Sequence, residues 1–246
     1  MVILIKTSSR PSVNRLKIDD CRLKNDVRLR QVTQVELADE ATPMTQVLPQ
    51  FLTFDEYVEQ YPEDGGRYEL IYGRMVEVRP IGQHEKIAGF ISLELGLEIR
   101  RLQLPYFIPN SAAVKSNRSG MGYIPDVIVL DEETIASDPY WEKVSSVSLG
   151  KSVRLAVEVV SNNWRDDYLK KLDDYEDLGI SEYWIVDYLA KGAARYIGTP
   201  KVPTLSVYQL VDGEYQVSLF KGGDRIVSST FPELALTAEE IFKAGN

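Results

Sequence analysis

The chain has 246 residues, 44% of them hydrophobic, which is enough for one domain with a real core, and its net charge is −9. One cysteine, Cys21, excludes a disulfide framework or a thiolate cluster, and one histidine, His84, excludes a site built from two or three imidazoles. The acidity argues against a protein that grips nucleic acid constitutively through its phosphates, and no apolar run reaches the roughly 18 residues that a membrane-spanning helix needs.

A reducing cytoplasm and no membrane attachment are the simple expectations. A catalyst stays open, because carboxylate sites for magnesium add negative charge of their own. Residues 1–43 hold eight Lys/Arg and six Asp/Glu, so residues 44–246 carry −11. The first segment lacks helical or strand periodicity and is expected to be a disordered or weakly structured extension, with 44–246 as the domain. Translation from Met44 is an alternative reading. The opening Met-Val-Ile-Leu-Ile is short for a signal-peptide core, and Asp19, Asp20 and Asp26 do not suit a targeting peptide.

Thr53 and Glu56 form a capping box that opens a short helix to about Tyr61. Tyr68–Ile71, Tyr72-Gly73 and Arg74–Val78 predict a hairpin. Gln83 to about Leu104 is a long helix, with Ile87, Ile91, Leu95, Ile99 and Leu102 at helical spacing. Ala112–Lys115 is a short strand. Ile124–Leu130 and Val153–Val160 are nearly continuous apolar runs, as expected of strands buried on both faces. Asp166–Leu178 is an amphipathic helix ended by Gly179. Glu182–Asp187 is a further central strand, parallel to Val153–Val160 through a crossover. Arg195–Gly198, Ser206–Val211 and Tyr215–Phe220 read as antiparallel strands, the last two joined at Asp212-Gly213. Thr237 and Glu240 cap a final helix. The fold class is α/β (α+β): a mixed central sheet flanked by helices, with a strand-rich C-terminal part.

Two acids lie in apolar surroundings. Asp126, after Pro125, heads one strand, though an aspartate there is equally a turn residue. Glu158 sits inside Leu155-Ala156-Val157-Glu158-Val159-Val160-Ser161. Alternation puts Val153, Leu155, Val157 and Val159 on one face and Arg154, Ala156, Glu158 and Val160 on the other. A glutamate there calls for a cation, either a metal or a basic side chain. Lys171 falls on the apolar side of its helix beside Tyr175 and Leu178, where it needs an anion or must snorkel; desolvation there would depress its pKa. His84 reads as a surface or capping residue, Tyr183 and Trp184 as core, and Arg100, Arg101, Lys115 and Arg118 as solvated surface.

Pro-Asp, a second acid on a later strand and a lysine resemble the PD-(D/E)xK nuclease fold. The usual lysine position, two after the glutamate, is Val160, so Lys171 matches the variant in which the lysine moves to the adjacent helix. Tyr68-Glu69-Leu70-Ile71-Tyr72-Gly73, Pro125-Asp126-Val127, Val157 to Ser161, Lys171 with Tyr175, and Gly179 to Asp187 together resemble the Uma-two family of restriction-endonuclease-like proteins over about Phe51 to Phe242. Tyr72 and Arg74 depart from that pattern at the hairpin tip.

The resemblance implies a metal-dependent DNA endonuclease on a restriction-endonuclease-like domain, with Asp126, Glu158 and Lys171 as catalytic residues. Asp126 and Glu158 would hold Mg2+ or Mn2+, with Glu69 as a further ligand. Lys171 would position and activate water or stabilise charge on the phosphate. The implied substrate is nucleic acid, DNA ahead of RNA, and stringent recognition would need a homodimer or a partner. The alternatives are a catalytically inactive module that binds nucleic acid or protein, and a hydrolase of smaller phosphoesters.

Overall fold

A computed structural model describes residues 51–245; the expectation for residues 1–43 lies outside them. The elements in chain order are α1 (Phe54–Glu59), β1 (Tyr68–Ile71), β2 (Arg74–Glu77), α2 (Gly82–Leu102), β3 (Tyr106–Phe107), β4 (Ala113–Lys115), β5 (Gly122–Tyr123), β6 (Val127–Asp131), α3 (Glu132–Ile135), α4 (Trp141–Val144), β7 (Ser146–Val147) and β8 (Val153–Val159). A π-helical turn, Asp166–Lys171, then runs into α5 (Leu172–Leu178), followed by β9 (Glu182–Asp187), α6 (Ala194–Ile197), β10 (Thr204–Val211), β11 (Glu214–Phe220) and α7 (Ala238–Ala244).

The strands form two mixed sheets. The larger has the order β11-β10-β9-β8-β6-β3, and the smaller β2-β1-β5-β4-β7. β8 and β9 are parallel, as the crossover predicted, while β6 and β8 are antiparallel. The two tight hairpins use two-residue loops, Tyr72-Gly73 and Asp212-Gly213, with positive φ at all four positions. That is the turn whose twist matches the flanking strands.

The larger sheet is buried on both faces. On one side Ile87, Ile91 and Leu95 of α2 and Ile241 of α7 pack against Val127, Val129, Leu155, Val157 and Val159. On the other, Tyr168 and Tyr175 cover Ile128, Ala156, Val160, Tyr183 and Ile185. Tyr183 and Trp184 are fully buried in this core. Strict alternation fails at the start of β8. Val129 pairs with Leu155 and Leu130 with Val153, so Arg154 is an extra residue and Val153 joins the second face. A bulge of this kind re-aims a side chain, and Arg154 uses it to pair with Asp131 and lie over the Tyr106 ring.

Two expectations change. Arg195–Gly198 is not a strand but a helical turn, Ala194–Ile197, in which Tyr196 stacks on Tyr168 at 4.8 Å; four residues are too few for periodicity to separate the two. The helix expected over Asp166–Leu178 is α-helical only from Leu172. Among the described residues no helix is long and apolar enough to cross a membrane.

Candidate active site

Asp126 and Glu158 lie at the open end of the larger sheet. Val127 is registered with Val157 and Ile128 with Ala156; Asp126 and Glu158 are the next residues on the two strands, where the regular ladder ends and the Asp126 N–H bonds Val157 O at 3.0 Å. Asp126 Oδ2 accepts the Val159 N–H at 2.8 Å.

Lys171 supplies the counter-charge. Its Nζ stands 3.0 Å from Glu158 Oε2 and 3.0 Å from Glu69 Oε1, and 3.9 Å from Asp167 Oδ1. Glu69, Glu158, Asp167 and Lys171 are all buried. Glu69 comes from β1 of the smaller sheet and also accepts the Ile124 N–H at 3.2 Å. The second oxygen of Glu158, Oε1, accepts the Tyr175 hydroxyl at 3.0 Å. The helix therefore delivers a cation and a hydroxyl, one turn apart, to a single carboxylate.

Three further residues enter that the sequence reading did not assign to the site. His84 is neither a surface residue nor a cap: it is buried, with Nε2 3.1 Å from Asp126 Oδ2. The stripe Ile87, Ile91, Leu95 extended one turn back falls on His84, so the signal was present. Arg67 reaches Asp126 Oδ1 at 3.4 Å and donates to the carbonyls of Ile124 and Pro125 at 2.7 and 2.8 Å, fixing the approach to Asp126. Asp167 lies four residues before Lys171, a spacing that puts two helical residues on one face. The scattered basic residues are engaged elsewhere: Arg101 with Glu98 and Glu233, Arg118 with Asp173 and Asp174, and Lys115 with the Tyr140 hydroxyl.

Crowding of acids sets the protonation states. Burial, with the charges of Asp126 and Glu69, outweighs Lys171 and pushes the Glu158 carboxyl up to about 7. Burial lifts Asp167 well above the usual carboxylate range, aided by Glu158, Asp126 and Glu69. Burial alone would raise Asp126 too, but the hydrogen bond and charge of His84, with Arg67 and Lys171, hold it below its ordinary value. Lys171 reverses the expectation from desolvation. Burial lowers it, yet Glu158, Glu69, Asp167 and Asp126 together raise it well above a normal lysine. It is a fixed positive charge, not a base.

A hollow of about 280 Å³ opens beside the cluster, lined by Glu69, Glu77, Tyr123, Asp167, Lys170 and Lys171 among others, with Asp126 and Glu158 behind its wall. Asp126 Oδ1 is engaged, among the described residues, by Arg67 alone, at 3.4 Å. Among the described residues no three acid or imidazole groups stand together as a ready chelate. Magnesium does not need one, since it uses one or two carboxylates and fills the rest of its octahedron with water and phosphate. On donor chemistry, Asp126 with Glu158 fits such an ion.

Comparison with known proteins agrees with this architecture. A crystal structure described as "a putative nuclease belonging to DUF820 from Anabaena variabilis ATCC 29413" matches with a TM-score of 0.58 and 18% identity, over 79% of this chain and 99% of that one. At that identity the likeness is one of fold. No curated protein matches the chain. The Uma2 family, described as "Putative restriction endonuclease", matches residues 54–239. Spanning most of the described fold and all of the acidic cluster, that match places the chain in the Uma2 (Uma-two) family of restriction-endonuclease-like proteins.

Proposed function

We propose that the protein is a metal-dependent endonuclease that hydrolyses phosphodiester bonds, with DNA ahead of RNA as substrate and a homodimer as the unit that cuts both strands. The observation that carries this reading is the Lys171 ammonium held 3.0 Å from both Glu158 and Glu69, beside the strand ends that carry Asp126 and Glu158. Asp126 and Glu158 would hold Mg2+ or Mn2+, with Glu69 as a further ligand. Such a cation neutralises charge on the phosphate and makes a nearby water more acidic.

The chain's own groups do the rest. Lys171 offers a permanent ammonium beside the reacting phosphate, where it stabilises the negative charge that builds on the phosphate oxygens. Tyr175 fixes the orientation of Glu158 through Oε1. His84, Arg67 and the Val159 N–H keep Asp126 ionised and aimed. Asp167, whose carboxyl pKa burial raises well above its ordinary value, resists carrying a charge toward the phosphodiester.

The test is nicking of supercoiled plasmid by the wild type with Mg2+ or Mn2+, beside Glu158→Gln and Asp126→Asn. Loss of cutting in both variants with the fold retained supports the reading; equal cutting by wild type and variants refutes the site. One observation favours the alternative, an inactive nuclease-fold module: Tyr175 and Lys171 already occupy both Glu158 oxygens. That reading predicts a wild type that never cuts, with or without metal.

A further inference from the structure

A second hollow of about 160 Å³ lies beside the first, and Arg79, Ser161 and Asn163 line both. Its other walls include His84, Asn162 and Lys191. Lys191 is placed by the backbone: its N–H and that of Gly192 donate to the Asp187 carboxylate at 2.9 and 2.7 Å. Its Nζ donates to the Asn162 amide oxygen at 2.7 Å, a neutral acceptor. Among the described residues it has no carboxylate within 4.0 Å. Arg79 is largely exposed and held by Glu77 at 2.6 Å. This is a cationic, amide-lined recess in a chain of net charge −9.

His84, only 6% exposed, forms the inner wall: Nε2 is spent on Asp126 and the ring also bonds the Val159 backbone, so the recess offers its open donors from Lys191, Asn162 and Asn163.

We propose that this recess takes a phosphate group of the DNA backbone, next to the one attacked over Glu158 and Lys171. Lys191 and Arg79 meet the phosphate oxygens, and Asn162 and Asn163 supply amide donors. The site tracks the backbone and reads no bases, as phosphate contacts generally do. It rests on the nuclease reading for its ligand, but it is tested by binding without cutting.

The experiment measures fluorescence anisotropy of a labelled DNA duplex with the full chain in EDTA, over a series of salt concentrations, followed by cleavage kinetics with Mg2+ or Mn2+. Lys191→Gln is compared with the wild type and with Lys151→Gln, the same charge change at an exposed position away from the recess. One lost phosphate contact lowers the salt slope by about 0.9, or roughly eightfold in affinity at 0.1 M salt if the contact vanishes at 1 M. Lys191→Gln is expected to lose this on every duplex sequence, and Lys151→Gln to lose nothing. In cleavage, KM should rise with kcat nearly unchanged, as for uniform binding. If the wild type binds and Lys191→Gln binds with the same slope, the recess is overturned and the nuclease reading stands. If the slope falls as expected but no metal supports cutting, the recess stands and the nuclease reading falls. If the wild type does not bind duplex in EDTA, the recess falls, and the cleavage arm with Mg2+ or Mn2+ alone decides the nuclease reading.

Discussion

Replacing Lys171 with methionine removes the one ammonium between Glu69 and Glu158 and leaves two buried carboxylates facing each other. Breaking a buried ion pair on one side costs about 3–5 kcal/mol. The chain can limit this by taking up protons. With Lys171 present, Glu158 titrates at about 7, against 4.5 for an ordinary glutamate. At pH 8 that already lowers stability by about 3 kcal/mol, at 1.36 kcal/mol per pKa unit. Without the lysine, holding Glu158 fully protonated at pH 8 would cost about 5 kcal/mol in total, or roughly 1.4 beyond the wild type. Glu69 also loses its cation, and the contacts of the ammonium to both acids are lost. A difference of about 3–5 kcal/mol at pH 8 follows. At pH 4 the carboxyls are largely protonated in both states, and only the lost hydrogen bonds remain, about 1–2 kcal/mol. Urea unfolding, read through the fluorescence of the buried Trp184, gives both values. A Lys171→Met penalty that is the same at pH 4 and pH 8, or under 1 kcal/mol at pH 8, would refute the charge assignment.

The remaining predictions use the same unfolding assay. The folded pKa of Glu158 lies above its unfolded value, so its contribution is fully present below about pH 4.5 and drains away as pH rises through 7; Glu158→Gln should flatten the fall in stability between pH 5 and pH 8 by about 3 kcal/mol, and an unchanged slope would count against it. Tyr175→Phe leaves Glu158 Oε1 without its donor and should cost about 1–3 kcal/mol, with the penalty greater at pH 8 than at pH 5. Gly150→Ala places a Cβ 2.1 Å from the Leu178 carbonyl oxygen, a backbone atom with nowhere to go; it should destabilise by about 3 kcal/mol or prevent folding, and wild-type stability would contradict the packing of that turn.

The sequence carried those parts of the fold whose patterns are long. α2, the hairpin at Tyr72-Gly73 and the central strands follow from spacing, and Lys171 could be placed on the buried side of its helix before any coordinates. Strands β3, β5 and β7 have two residues each, too few to show a period of two. They exist because their neighbours pair with them. The bulge at Arg154 leaves no mark in an apolar run, so the facing of Val153 was misread. The lysine's protonation was misjudged for a different reason. Desolvation is visible in one helix, whereas Glu69, Glu158, Asp126 and Asp167 reach Lys171 from separate stretches of chain, and their summed charge is a property of the assembled site. His84 escaped because a lone histidine has a dull default reading, although its place in the α2 stripe pointed inward.

Glu69 hangs from the smaller sheet and Glu158 from the larger, with the same ammonium fastened to both. The charged cluster is therefore also a clasp between two slabs of backbone. Anything that draws the amine off either acid, whether an entering phosphate or a competing ion, unbuttons the hairpin from the sheet behind it. Amide exchange at Leu70 should then quicken when such a ligand arrives, giving a mechanical readout of occupancy that needs no turnover.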